Sequence, residues 1–137
     1  MTPEKNYKKW HKIKETINQK TKGDVVFFHE REIWYCHLGA NVGFEQDGKG
    51  QDFFRPILIF KKFNNSSFLG IPLTKSKILN KKNDRFYYAF SFIPNITSLA
   101  ILSQIRMIDV KRLARQIGTI TEQDFKSLTK KFKDLLP

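Results

Sequence analysis

Cysteine is almost missing from this chain. Cys36 stands alone, which excludes an internal disulfide and any cysteine-based metal centre. Its Trp/Tyr-rich surroundings predict a small buried hydrophobe. Histidine is nearly as sparse: His11, His29 and His37 are scattered with no partner at ligand spacing, so no metal and no cofactor are expected. No apolar run reaches the length of a membrane span, and the Lys-rich start has no apolar segment of the signal-peptide kind. Both point to a soluble protein of the cytoplasm without a membrane partner. Two catalytic signatures are absent as well. No G-x-x-x-x-G-K-S/T phosphate loop occurs, since DGKG (47–50) matches in composition only and no helix follows it. No G-x-S-x-G nucleophile elbow occurs either.

Acidic residues are in short supply, and that is informative. Thirteen Asp and Glu face 25 Lys and Arg, for a net charge of +12. The surplus is five in residues 1–22, six in 23–118 and one in 119–137. Charge therefore covers the body as well as the tail, which favours a polyanionic partner such as nucleic acid or an acidic protein over a merely solubilising surface. The 137 residues fit one domain, and 40% hydrophobic residues with 13 Phe are enough for a packed core.

Periodicity predicts the elements. Tyr7, Trp10, Ile13 and Ile17 lie at helical spacing among lysines, so residues 3–20 form a basic amphipathic helix ended by Thr21, Lys22 and Gly23. Strands are expected at VVFF (25–28), EIWYCHL (32–38), RPILIF (55–60), FLGIPL (68–73), RFYYAFSF (85–92) and SLAILSQI (98–105). The polar stretch 74–85 reads as an exposed loop, VKRLARQ (110–116) as a short helix and IGTI (117–120) as a closing strand. A last helix carries Phe125, Leu128, Phe132 and Leu135 on one face. Thr121 and Asp124 form its capping box and Ile120 a staple. The fold class is mainly β with α additions: a small, mostly antiparallel barrel with a helix at each end.

One pair of residues has chemical promise. Arg55 opens RPILIF and Thr74 closes IPLT. In an antiparallel pair joined by the FNNSS turn, those two positions share one rim of the sheet. Arg55 is either a surface gatekeeper, whose replacement costs under about half a kcal/mol, or a guanidinium fork for a phosphodiester, with Thr74 donating beside it. A two-histidine ribonuclease using His29 and His37 across a hairpin is a competing reading.

The ordered set Gly43-x-Glu45-Gln46, Arg55-Pro56 before an aliphatic strand, Pro72-Leu73-Thr74, and Ser98 through LSQIRMIDVKRL (102–113) with IGTI after it resembles the MazF/PemK toxins of bacterial toxin–antitoxin pairs. The resemblance spans roughly residues 31–136 and divides the chain into a helical extension (1–22) and a toxin domain (23–137). It implies a twisted barrel of the Src-homology-3-like kind, a homodimer, and neutralisation by a cognate acidic antitoxin. It also implies a metal-independent endoribonuclease that cuts single-stranded RNA through attack of the ribose 2′-hydroxyl, leaving 2′,3′-cyclic phosphate and 5′-hydroxyl ends.

The family's catalytic arginine and threonine fall on Arg55 and Thr74. A guanidinium is a poor proton acceptor, so Glu45 is the candidate base. Gln46, Lys49, Lys75, Lys77, Lys81, Lys82, Arg85, Gln104 and Arg106 are the candidate substrate-binding residues, and Phe44, Phe53 or Phe54 could stack on bases. Three departures from the family stand out. Eight residues (DGKGQDFF) separate Glu45-Gln46 from Arg55-Pro56, Ser103 replaces an acidic residue found in some members, and His37 stands where many have Asp. A different class of reading is a non-catalytic toxin or nucleic-acid-binding module of the same fold, which would act by binding a protein such as a topoisomerase.

Overall fold

Alternating apolar and polar residues fix which side of each strand faces inward, and the strands here pair in one continuous path. The computed structural model describes residues 5–21, 26–43, 45–50, 52–75 and 81–137, without the side chains of 81–83. Helix α1 (Tyr7–Asn18) is followed by β1 (Glu32–His37), β2 (Phe54–Lys62), β3 (Ser67–Lys75), β4 (Tyr87–Ile93), β5 (Ile96–Ile101), β6 (Arg106–Asp109), β7 (Leu113–Thr119) and helix α2 (Glu122–Lys133). The strand order is β4-β5-β3-β2-β1-β7, with β6 also on β3, and every pairing is antiparallel.

β5 and β6 are one strand broken in two. Both run beside β3, β5 against Leu73–Lys75 and β6 against Ser67–Gly70. A 3-10 turn at Leu102–Gln104 interrupts them. The extra residues bend the sheet at β3. Closure does not follow: β4 and β7 end the path, and no ladder joins them among the described residues. Side chains fill the gap instead. A Cβ placed on Gly118 of β7 would lie 2.5 Å from Phe92 Cδ2 of β4. The expected barrel is therefore an open one.

Two apolar clusters sit on opposite faces. One gathers Phe28, Trp34, Cys36, Ile57, Ile59 and Phe68. The other gathers Ile33, Leu58, Ile71, Leu73, Phe90 and Leu102 under α2. Helix α2 reaches it through buried Leu128 and through Phe125 and Phe132, both ringed around Phe60. The anticipated cap is present: Thr121 Oγ1 accepts from Asp124 N, and Ile120 joins the same cluster. Helix α1 buries Trp10 and Ile17 against Ala40 and Phe53, and Ile13 packs beside them. Tyr7 stays exposed and donates its hydroxyl to Asn41 O.

Three local expectations fail. VVFF is no strand: residues 26–28 are irregular, although Phe28 is fully buried, and Val25 lies outside the described residues. VKRLARQ is no helix either. Val110–Arg112 forms a 3-10 turn and Leu113 starts β7, because pairing with β1 outweighs a weak local helical pattern. Finally, the stretch 74–85 is not one loop. Thr74 and Lys75 close β3, and Lys81–Phe86 forms a 3-10 turn.

Candidate active site

The β2–β3 register pairs Ile57 with Pro72 and Leu58 with Ile71. Extended two residues toward the rim, it sets Arg55 beside Thr74, where the strand spacing had put them. Both line a pocket of about 610 Å³ whose walls also include Lys49, Lys75, Ser98 and Arg115, with Tyr35, Phe54, Pro56 and Phe92 as its apolar part.

Arg55 is not a surface gatekeeper. It is 8% exposed. Its Nε donates to Asp47 O at 2.6 Å and its Nη1 to Leu73 O at 3.1 Å. Two of five guanidinium N–H groups are thus engaged by backbone carbonyls, which fix the plane of the fork. Burial pulls the guanidinium below its ordinary pKa, and the Asp47 carboxylate works against that. A partly desolvated cation aimed into a pocket is a strong electrostatic partner for an anion.

The loop before β2 carries Arg55's first acceptor and is tied down at several points. Asp47 Oδ1 accepts from Asn41 N at 2.6 Å, and its carboxylate pairs with Lys5 Nζ at 3.1 Å. Gly48 N donates to Gly39 O at 2.7 Å. Gly48 is also a close approach: a Cβ there would sit 1.5 Å from Phe53 O. Phe53 itself adopts φ +54°, a left-handed conformation that costs about 1–2 kcal/mol in a non-glycine residue. Its ring is buried against Trp10 at 5.5 Å.

Glu45 and Gln46 are not in the Arg55 pocket. They line a second groove of about 770 Å³ with Gln104, Arg106, Ser103 and Pro72. Gln46 N donates to Gln104 Oε1 at 2.8 Å, so the Glu-Gln and Gln-Ile-Arg segments meet. Glu45 Oε1 accepts from Val42 N at 2.9 Å, which turns its carboxylate onto its own loop. The loop divides the two sites: Glu45 and Gln46 border one, Lys49 and Gly50 the other. No carboxylate or imidazole lines the Arg55 pocket among the described residues.

Of the remaining candidates, Arg85 lies over the Phe86 ring at 4.6 Å and is exposed. Lys77, Phe44 and the side chains of Lys81 and Lys82 lie outside the described residues. His29 pairs with Glu32 and His37 Nδ1 with Asp52 O, so the two-histidine site does not assemble through these contacts. No group of three His, Cys, Asp or Glu capable of holding a metal occurs among the described residues, and none of their helices is long and apolar enough to cross a membrane. Cys36 is fully buried, and burial raises its thiol pKa to about 12. Tyr35, Phe92, Ile96 and Arg115 escaped sequence reasoning because nothing local marks a strand residue that faces a pocket formed with several other strands. Period-two alternation along β1 was the one available signal for Tyr35.

Comparison with solved structures finds the same fold in toxins. The Mycobacterium tuberculosis toxin MazF-mt6 superposes with a TM-score of 0.56 at 18% identity, covering 76% of this chain and 94% of that one. A mycobacterial endoribonuclease in complex with its cognate antitoxin superposes with a TM-score of 0.55 at 13% identity, covering 79% and 95%. No curated protein matches by sequence. The family model that does match covers residues 29–136, from the turn before β1 to the end of α2 and beyond. Over that span the chain belongs to the PemK-like, MazF-like toxins of type II toxin–antitoxin systems.

Proposed function

We propose that this chain is the toxin of such a pair and a metal-independent endoribonuclease of the cytoplasm that cuts single-stranded RNA. Residues 1–22 extend a toxin domain of residues 23–137, which acts as a homodimer and is neutralised by an acidic antitoxin that complements its charge of +12. The observation that carries this reading is the buried Arg55 fork beside Thr74 in a pocket edged by Lys49, Lys75 and Arg115.

In this mechanism the scissile phosphate enters the pocket and takes the free N–H groups of Arg55. The ribose 2′-hydroxyl attacks phosphorus, the bond to the 5′ oxygen breaks, and a 2′,3′-cyclic phosphate and a 5′-hydroxyl result. Negative charge on the phosphorane oxygens grows toward the transition state, where preorganised donors act most strongly. Thr74 orients the phosphate through its hydroxyl. With no carboxylate among the described pocket residues, the 2′ proton leaves to water, and water supplies the proton taken up by the departing 5′ oxygen. Glu45, the base expected from the sequence, serves instead to hold the loop through Val42 N. Gln46, Gln104 and Arg106 take RNA in the adjoining groove, and Lys75, Lys77, Lys81, Lys82 and Arg85 neutralise its backbone.

The test is incubation of the purified protein with long single-stranded RNA in EDTA, alongside Thr74→Val and Arg55→Lys variants, with end-group analysis. Discrete cuts with cyclic-phosphate ends from the wild type, reduced on the order of 100-fold or more in both variants, support the assignment. Intact RNA in every tube would overturn it in favour of a toxin that binds a protein target.

A further inference from the structure

Four planar side chains form a ladder: Arg115, Tyr35 and Phe54 line one wall of the Arg55 pocket, and His37 continues the row just beyond it. Arg115 of β7 pairs with Tyr35 of β1, and His37 of β1 pairs with Phe54 of β2. Residues two apart on a strand share a face, so Tyr35, His37 and Phe54 emerge on the same side. The Arg115 guanidinium lies 5.1 Å from the Tyr35 ring. Tyr35 lies 5.7 Å from Phe54 at 33°, and Phe54 lies 4.5 Å from His37 at 42°.

These rings do no core work. None of them belongs to the three apolar clusters. Farther along the same face Ile33, Leu58 and Phe60 are covered by α2, whereas Tyr35, Phe54 and His37 are only half-buried and Arg115 is exposed. His37 is held edge-on by its Nδ1–H, which donates to Asp52 O at 2.7 Å. A carbonyl only accepts, so the tautomer is fixed and the ring plane with it.

The geometry points to a base-stacking track. We propose that the Arg115–Tyr35–Phe54–His37 ladder binds successive unpaired nucleobases of single-stranded RNA while Arg55, Lys49 and Lys75 hold the phosphates alongside. This rests on the reading of the pocket as an RNA site and adds which part of the RNA meets which wall. Half-exposed π-faces beside fixed cations are the two ingredients of single-strand binding, and stacking on them is tolerant of sequence. A duplex is excluded, since its base faces are already stacked on one another. Sequence preference then falls to the second groove around Gln46 and Gln104.

The test separates this inference from cleavage. A fully 2′-O-methylated ten-nucleotide RNA lacks the attacking hydroxyl, so its binding is read by fluorescence anisotropy without turnover. An oligomer of equal length with abasic sugars keeps the phosphates and removes the bases. The wild type should bind the base-bearing oligomer at least about tenfold more tightly. Phe54→Leu and Tyr35→Leu, which keep apolar volume, should lose most of that preference and retain the salt dependence. Arg115→Gln, at an exposed position, checks the same point without risk to the fold. Equal affinity of the wild type for both oligomers, or full base preference in Phe54→Leu and Tyr35→Leu, overturns the track and leaves the face to a protein partner such as the antitoxin. Base-dependent binding in a protein that leaves natural RNA intact would keep the track and remove the enzyme assignment; cleavage without base preference would do the reverse.

Discussion

Replacing Arg55 by alanine tests the electrostatics and the architecture together. A surface arginine at a strand mouth costs under about half a kcal/mol to remove. Arg55 is 8% exposed and bonded to two backbone carbonyls, so its removal orphans Leu73 O in a buried setting and Asp47 O in a partly buried one. A buried acceptor left without a donor costs about 1–3 kcal/mol, and the half-exposed one is rescued by water at little cost. Loss of the packed methylenes adds to this, whereas relief of guanidinium desolvation subtracts from it. The balance is about 2 kcal/mol of destabilisation, or a fall of roughly 6–10 °C in melting temperature for a domain of this size. Urea unfolding followed by tryptophan fluorescence is the assay, since Trp10 and Trp34 are both buried. The midpoint should drop with an unchanged slope. An Arg55→Ala protein as stable as wild type would refute the structural half of the reasoning. Cleavage by this variant is therefore to be measured well below its own melting temperature, so that unfolding is not mistaken for lost catalysis.

Lys5→Met removes the ion pair to Asp47, whose side chains are 17% and 30% exposed. It should cost under about 1 kcal/mol of stability but lower kcat more than it raises KM, and Lys5→Arg should restore activity; an unchanged kcat refutes the link. Burial, ahead of the opposing bond to Asp52 O, holds the His37 pKa below its ordinary 6.5. The unfolded chain then binds the proton more readily, so the His37 contribution is present above about pH 6.5 and is lost as pH falls below it. Unfolding midpoints for wild type and His37→Asn should converge on acidification through that window, and parallel curves would contradict the sign. Gly118→Val forces a branched side chain against Phe92, where a Cβ already lies 2.5 Å from Cδ2. It should destabilise by about 1–3 kcal/mol in a thermal melt, and Phe92→Ala in the same chain should recover part of the loss.

Much of the fold was legible because strand alternation and helix periodicity are strong, local signals. α2 was readable through its Thr121 cap and its Phe125–Leu128–Phe132 face. β7 was not, because LARQ has acceptable helix propensity and only the presence of β1 alongside decides for a strand. That Arg55 and Thr74 line one pocket at the same rim followed from hairpin geometry, which sequence does carry. The burial of Arg55 did not follow, since it depends on Asp47 O and Leu73 O arriving from a loop and a neighbouring strand. Glu45 was misplaced for a related reason. Its nearness to Gln46 and Arg55 in sequence says nothing about which side of the loop it faces, and the bond to Val42 N turns it away.

The family match begins at residue 29 and leaves α1 wholly outside it, yet α1 reaches the site. Eight residues separate Gln46 from Arg55, and the added length carries a closure cost that grows slowly but leaves the segment freer to move. α1 opposes that freedom at two points. Trp10 occupies the space over Gly39, where a Cβ would lie 2.0 Å from its Cε2 and where φ is +84°, so this contact needs glycine. Lys5, just before the helix starts, anchors Asp47. Gly39 and Leu38 in turn donate to Phe53 O, closing the loop at its base. The chain of contacts then runs from α1 through Asp47 to Arg55 Nε without a gap. A long loop and an N-terminal helix are thus complementary features: the helix supplies the rigidity that a shorter connection would have provided by itself.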